Sequence, residues 1–144
     1  MSDKALSLLG LMRRAGAIEL GEDNSADAVH AGKAKLLLLS SDLSDKARHR
    51  AEGYTYGHRT LTVPLSYPKE ELAECLGVGM CSMAAVTDIG FANALMKQLA
   101  EQQPEKYGSL RDETEKRCRK AERRRRETVA RKGDKRNVKR RTEV

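Results

Sequence analysis

The charge of this chain changes abruptly near residue 104, and the change limits how much of the sequence can form a folded core. Residues 105–144 contain 17 Lys and Arg against 8 Asp and Glu, a formal charge of +9, whereas residues 1–104 contain 11 against 13, or −2. About a hundred residues can bury one hydrophobic core and no more. We therefore predict one domain at residues 1–104 and a basic tail, helical or disordered, at residues 105–144.

Helix and strand patterns alternate along the domain, with four consecutive leucines near its middle. This leucine run is too short for an independent helix and is apolar on both faces, so we predict a central strand covered by helices on either side. The pattern predicts an α/β layered sandwich. The predicted helices run from Ser2 or Asp3 to Gly16, between Gly21 and Gly32, from Ser44 to about Gly53, from Ser66 as cap with Pro68 in the first turn, and from Asp88 to about Gln102. The predicted strands lie at 18–20, within 35–41 (the leucine strand), at 61–65 and at 83–87.

The tail has its own helical pattern. Five acidic residues precede a basic residue by four positions, and Ser109 with Asp112 resembles a capping box, so we predict a helix from about residue 110 to 132. Its apolar residues are too few and too scattered to dock on anything, so we predict that this helix does not pack on another element. Two interpretations stay open: an RNA-binding arm that orders on contact, and a solvated charged helix with no dedicated partner. The five pairs are Asp112/Lys116, Glu113/Arg117, Glu115/Arg119, Glu122/Arg126 and Glu127/Arg131.

No catalytic, metal or cofactor site is predicted. Residues 77–82, GVGMCS, resemble a dinucleotide-binding loop, but the third glycine is missing and the segment leads into a strand instead of a helix. The histidines are scattered, and the sequence identifies no base beside a cysteine that could make it a nucleophile. The residues considered were His30, His49, His58, Cys75 and Cys81.

Cysteine usage and hydropathy favour a cytoplasmic protein. Cys75, Cys81 and Cys118 form no CxxC pair, and their odd number fits free thiols in a reducing compartment. No apolar run approaches the roughly 20 residues that a membrane span requires. An N-terminal export signal is not expected, because acidic and basic residues interrupt the pattern that such a signal needs.

Residues 21–42, GEDNSADAVHAGKAKLLLLSSD, run through a glycine, a short helix, Gly-Lys-Ala-Lys, an apolar strand and Asp. This order of elements resembles the ribosomal L-seven-Ae family, which binds kink-turn RNA. Residues 8–16, LLGLMRRAG, resemble the start of its small bacterial YlxQ-type branch, and residues 88–92, DIGFA, resemble that branch's final helix start. Residues 71–77, ELAECLG, occupy the place of the family's Leu-Gly-x-Ala-x-Gly element. The resemblance covers about residues 3–100 and leaves out the tail.

The resemblance implies a three-layer α/β/α sandwich with a four-stranded mixed sheet, and non-catalytic binding of structured RNA. The RNA surface of that family corresponds to residues 21–27 and 77–82, where helix amides could meet phosphates and a glycine loop could cover an extruded base. Two alternatives stay open, namely that the glycines only make a turn and that the acids only compensate the helix dipole. The residues expected to contact RNA are Gly21, Glu22, Asp23, Asn24, Asp27, Lys33, Gly77, Val78, Gly79, Met80 and Cys81 in the domain, and Arg123, Arg124, Arg125, Arg126, Lys139, Arg140 and Arg141 in the tail.

The chain also departs from the family pattern. Kink-turn binders carry Asn-Glu followed by Lys one turn later, whereas this chain has Asp23-Asn24 in that place and Asp27 at the lysine position. Met80 stands where the loop often carries a basic residue, and Ala73 replaces a glycine. The resemblance therefore supports the fold more strongly than it supports kink-turn recognition.

Taken with the basic tail, these patterns predict a non-enzymatic, monomeric RNA-binding protein that associates with ribosomal or other structured RNA, and so with the ribosome or translation factors. The tail would add electrostatic affinity for the polyanion. The alternative is a protein-interaction adaptor on the same fold that has lost RNA recognition.

Overall fold

Helices and strands alternate along the domain in a computed structural model, which describes the backbone of residues 3–142 and the side chains of residues 3–132. Within that part of the chain, no helix is both long enough and apolar enough to cross a membrane. The elements are α1 (Lys4–Arg14), β1 (Ile18–Leu20), α2 (Glu22–His30), β2 (Leu36–Leu39), α3 (Asp45–Thr55), β3 (Leu61–Pro64), α4 (Lys69–Leu76), β4 (Met83–Val86), α5 (Ile89–Gln102) and α6 (Pro104–Thr142).

The leucine strand β2 lies inside the sheet, whose strand order is β1-β4-β2-β3. It pairs in parallel with β3 and antiparallel with β4, and β4 pairs antiparallel with β1. The predicted four-stranded mixed sheet is confirmed. Pro64 is tolerated in β3 because this strand is at the edge, where no further strand requires its missing amide hydrogen.

Alternate leucines of β2 face opposite helical layers. Leu36 and Leu38 belong to the cluster formed with α1, α4 and α5, whereas Leu37 and Leu39 pack with α2 and α3. All four side chains are buried. Because a strand alternates its side chains between the two faces of a sheet, both faces must be covered, and the predicted three-layer sandwich is confirmed.

Three predicted helix caps form as expected. The Asp3 carboxylate accepts from the amides of Ala5 and Leu6, and the Ser44 hydroxyl accepts from the Ala47 amide. The Asp88 carboxylate accepts from the Phe91 amide at 2.9 Å. Each bond satisfies an amide that a helix start leaves without a partner, so these caps fix where α1, α3 and α5 begin.

The predicted cap at Ser66 is wrong. α4 begins at Lys69, and its N-cap position is Pro68, whose side chain makes no capping hydrogen bond. The Lys69 amide donates instead to the carboxylate of Asp42, across from the end of β2. Ser66 lies too far before the helix to reach its amides, and its hydroxyl accepts from the Gln103 side chain at 2.8 Å.

The prediction that the tail helix docks on nothing is also wrong. α6 begins at Pro104, so Ser109 lies inside it and is not a cap. Tyr107, Thr114 and Cys118 are buried, and the Tyr107 hydroxyl donates to the Pro64 carbonyl at 2.5 Å. These side chains recur at helical spacing and pack the first part of α6 along α5. The boundary at residue 104 is thus a change in charge and not the end of the packed structure.

Of the five acid-before-base pairs predicted for α6, one forms an ion pair in the described part of the chain. The Arg117 guanidinium lies 2.9 Å from the Glu113 carboxylate. Asp112 pairs with its neighbour Arg111 at 3.3 Å instead of with Lys116. Exposed pairs of this kind contribute little to stability, so the continuity of α6 near the domain depends on its buried face.

Candidate nucleic-acid interface

The structure brings the two predicted RNA-contacting segments of the domain together. β1 and β4 are antiparallel neighbours, with Leu20 opposite Ala84, so the start of α2 lies beside the segment that enters β4. The Gly21 amide donates to the Met83 carbonyl at 2.9 Å. On the other side, the Ser40 amide donates to the Ser82 carbonyl at 2.9 Å. We call residues 21–27 and 77–82 together the α2–loop surface.

The amino end of α2 has no side-chain cap. Gly21 occupies the N-cap position with φ 91° and ψ 160°, a conformation that L-residues rarely adopt. The first amides of α2 therefore point to the surface without a side-chain acceptor. Backbone amides at a helix start, together with the helix dipole, form a site suited to an anion.

Glu22 lies in the first turn of α2, and side chains of α3 hydrogen-bond its carboxylate. Its carboxylate accepts from the Arg50 guanidinium at 2.5 and 3.1 Å and from the Tyr54 hydroxyl at 2.8 Å. The hydrogen bond from Arg50, and then that from Tyr54, lowers the pKa of Glu22. Much of the negative charge of Glu22 is therefore balanced within the protein.

Three further polar side chains of α2 differ in whether they could bind or repel a ligand. The Asn24 amide nitrogen donates to the Leu20 carbonyl at 2.9 Å, which leaves its oxygen available to a ligand. Asp23 and Asp27 are exposed and make no ion pair with any residue whose side chain the structure describes. Both would repel a phosphate that approached the helix start closely.

The loop between α4 and β4 begins with a left-handed glycine next to a cation. Gly77 ends α4 with φ 71°, and a Cβ placed there would lie 2.9 Å from the Arg13 guanidinium. That guanidinium donates to the Leu76 carbonyl, the last of α4. At the tip of the loop, Met80 is 69% exposed, whereas Val78 is half-buried against the core. The loop therefore presents glycine backbone and one apolar side chain.

Cys81 belongs to this loop but faces inward. Its side chain is buried, and its thiol donates to the Met83 carbonyl at 3.6 Å. Burial raises the pKa of the Cys81 thiol, and also those of Cys75 and Cys118. All three thiols are unpaired, as predicted. Cys81 therefore packs between the loop and the core, and its sulfur is not exposed to a ligand.

The other predicted contact residues lie elsewhere. Lys33 follows the carboxyl end of α2, about 14 Å along the helix from Gly21, since nine residues rise 1.5 Å each. Residues 123–126 are exposed on α6, and we call them the arginine run. The side chains of Lys139, Arg140 and Arg141 lie outside the residues whose side chains are described.

Sequence reasoning missed two residues that matter here. Arg13, which lies against Gly77, is 64 positions away from it, and Arg50 is 28 positions from Glu22. The only local indication of the role of Arg13 is that it belongs to a pair of arginines in the last turn of α1, where a cation interacts favourably with the helix dipole. Nothing in the sequence near Arg50 indicates its partner.

Solved structures with the same arrangement include a protein of unknown function from Bacillus halodurans C, with 27% identity, a TM-score of 0.63, and coverage of 67% of this chain and 97% of that chain. A second is the 15.5kD RNA binding protein of Giardia lamblia, with 16% identity, a TM-score of 0.55, and coverage of 70% and 89%. This chain shares their fold. No protein-family model matches the sequence.

Proposed function

We propose that this protein binds structured RNA without catalysis, through the α2–loop surface, and that the basic tail adds electrostatic affinity. The observation that carries the proposal is the hydrogen bond from the Gly21 amide to the Met83 carbonyl, because it holds an uncapped helix start beside the first residue after the glycine loop. The proposal includes membership of the YlxQ-type branch of the ribosomal L-seven-Ae family and association with the ribosome or translation factors. It also includes a monomeric, cytoplasmic protein whose RNA-binding domain is residues 1–104, with the first part of α6 packed against that domain.

The geometry suits a phosphate backbone with an extruded base. The amides at the start of α2 can donate to phosphate oxygens, and Glu22 is held by Arg50 and so interferes less. Arg13 lies beside Gly77 and supplies a positive charge at the edge of the loop. Exposed Met80 can cover the face of an unstacked base, as apolar side chains do in RNA complexes.

One observation favours a second function, a protein-interaction adaptor. Asp23 and Asp27 leave two unpaired carboxylates on the α2–loop surface, next to the exposed apolar side chain of Met80. Carboxylates beside an apolar side chain can also meet a basic, apolar face of another protein. In that case the tail would bind RNA or acidic proteins without selectivity.

Asp27→Lys distinguishes these functions. The substitution changes two unit charges at one exposed position, so a phosphate nearby would gain on the order of 1 kcal/mol of binding free energy, less at high salt. The measurement is a titration of the full chain with a kink-turned RNA and with a plain duplex of equal length. Glu101→Lys is the matched control, because Glu101 is exposed on α5 in the other helical layer and changes the net charge equally.

Asn24→Ala tests base recognition at the same surface. If the free Asn24 oxygen contacts a base edge, its loss should cost about 1 to 3 kcal/mol with the kink-turned RNA and almost nothing with the duplex. Thermal unfolding of the variant controls for the lost bond to Leu20. If Asp27→Lys and Asn24→Ala both bind every RNA as the parent does, this face is not an RNA site and the adaptor function is the better one.

A further inference from the structure

A second surface lies at the opposite end of the sheet, where α6 passes the starts of β2 and β3. The Arg117 guanidinium of α6 donates to the Arg59 carbonyl just before β3, and an open cleft of 370 Å³ lies between these elements. We call it the tail cleft. It lies at the other end of β2 and β4 from the α2–loop surface.

One face of α6 forms a wall of the tail cleft. Thr114, Arg117, Ala121 and Arg124 all line it, at positions that a helix places on one side within three turns. This wall exists because the docked part of α6, which includes buried Thr114, holds the helix against α5. The basic tail is thus part of a shaped site and not only an appended charge.

The tail cleft is strongly cationic. Its lining includes Lys35, Arg59, Arg117, Lys120 and Arg124, and no Asp or Glu is among its described lining residues. The nearby Glu113 carboxylate pairs with Arg117, and the other four cations make no ion pair with a described side chain. Cations drawn into one cleft repel each other, and a bound anion removes that cost.

The floor of the tail cleft is apolar. The half-buried side chains of Leu61 and Ile89 line it, and the exposed ring of His58 also lines the cleft, 5.6 Å from the ring of His30. Inorganic phosphate would use the cations and leave this floor uncovered. A nucleotide uses both, since its phosphate is anionic and its base is a flat group that stacks on rings and apolar side chains.

We propose that the tail cleft binds one unpaired nucleotide, its phosphate on the cations of α6 and its base against the apolar floor. The volume, near the lower limit of about 300 Å³ for ligand pockets, suits a single nucleotide and excludes a duplex. That the nucleotide belongs to RNA rests on the function proposed above. An RNA bound at the α2–loop surface would then reach the tail cleft with a single-stranded extension that runs from one end of the sheet to the other.

The test uses the full chain, fluorescein-labelled decauridine, and uridine monophosphate as a free nucleotide. The cleft variant is Lys120→Gln with Arg124→Gln, and its matched control is Arg119→Gln with Arg123→Gln. Both pairs remove two exposed cations from α6, but only the first pair lines the cleft. Ala121→Leu fills the cleft without changing charge, and Ala130→Leu is its control further along α6.

We expect the cleft pair to weaken decauridine binding at least tenfold and the control pair to weaken it less than threefold. Ala121→Leu should weaken binding about fivefold with an unchanged salt slope, because it blocks the base and not the phosphate. Thermal unfolding verifies that each variant remains folded. A response to uridine monophosphate that depends on the cleft, without one to decauridine, would support the site and assign it to a free nucleotide.

Equal losses in the cleft and control pairs, with Ala121→Leu binding as the parent does, would overturn the proposal, because the tail would then act as unstructured charge. This failure differs from failure of the proposed function. If the kink-turned RNA still responds to Asp27→Lys while the cleft variants match their controls, only the tail cleft is rejected. If the chain binds neither RNA nor uridine monophosphate, both proposals are rejected together.

Discussion

Tyr107→Ala measures how strongly the tail helix is part of the folded structure. The Tyr107 side chain is 1% exposed, lies in the main core cluster, and donates its hydroxyl to the Pro64 carbonyl. Truncating a buried aromatic ring costs about 3 to 5 kcal/mol of unfolding free energy. Since single domains are stable by only about 5 to 15 kcal/mol, the loss should be visible in any unfolding curve.

Two further substitutions separate the parts of this effect. Tyr107→Phe keeps the ring and removes the donor, so it should cost about 1 to 3 kcal/mol, the penalty for a carbonyl left without its hydrogen bond. Tyr56→Ala is the matched control, because Tyr56 is 87% exposed and its removal should change stability by less than about 0.5 kcal/mol. Urea unfolding, followed by circular dichroism, gives all three free energies.

A result for Tyr107→Ala as small as that for Tyr56→Ala would refute the docking of α6. The same reasoning predicts that truncation after Pro104 is strongly destabilising, because it removes Tyr107, Thr114 and Cys118 from their buried positions. Such a truncation is therefore unsuitable for separating domain from tail, and the cut belongs after Ala121, beyond the last buried side chain of α6 that the structure describes.

Three other predictions concern the core, the pH dependence and the tail. Leu37→Ala and Leu38→Ala should each cost about 2 to 5 kcal/mol in urea unfolding, since each fills a different buried layer, and a nearly neutral result for either would expose an uncovered sheet face. Burial would raise the pKa of Asp3, but hydrogen bonds led by that from Tyr67 lower it below 3.8, so its stabilisation is present above about pH 4 and lost as pH falls through the folded pKa. Asp3→Asn should therefore be less stable than the parent at pH 7, and the difference should shrink as the pH falls through the folded pKa of Asp3; a difference that stays constant with pH would contradict this. Truncation after Ala121 removes 11 Lys and Arg and 4 Asp and Glu. If these residues make about five phosphate contacts, the slope of log binding constant against log salt concentration should change from about −4 toward zero. An unchanged slope would reject the electrostatic role of the tail.

The features that the sequence predicted correctly are those with local causes. Strand β2 is visible in the sequence as a run of four leucines. The caps at Asp3, Ser44 and Asp88 are visible because each side chain reaches an amide only two or three residues later. Element order followed from these, and with the family resemblance it led to the correct sheet and layers.

The features that sequence reasoning missed depend on partners far apart in the chain. Tyr107 bonds Pro64, which lies 43 positions earlier, and Arg117 reaches the Arg59 carbonyl across 58. A buried stripe that includes a threonine and a cysteine among charged residues does not look apolar, so the docked face of α6 is visible only when α5 is in place. The tail cleft follows from that docking and was equally hidden.

The uninterrupted helix of α6 also determines the directions in which its charges point. At 3.6 residues per turn, successive residues are rotated by about 100°, so the arginine run distributes its four side chains around almost the full circumference of the helix. Arg124 faces the tail cleft, and the other three are directed away from it. A polyanion can therefore meet a guanidinium from any azimuth around the helix, while only one azimuth leads into the cleft.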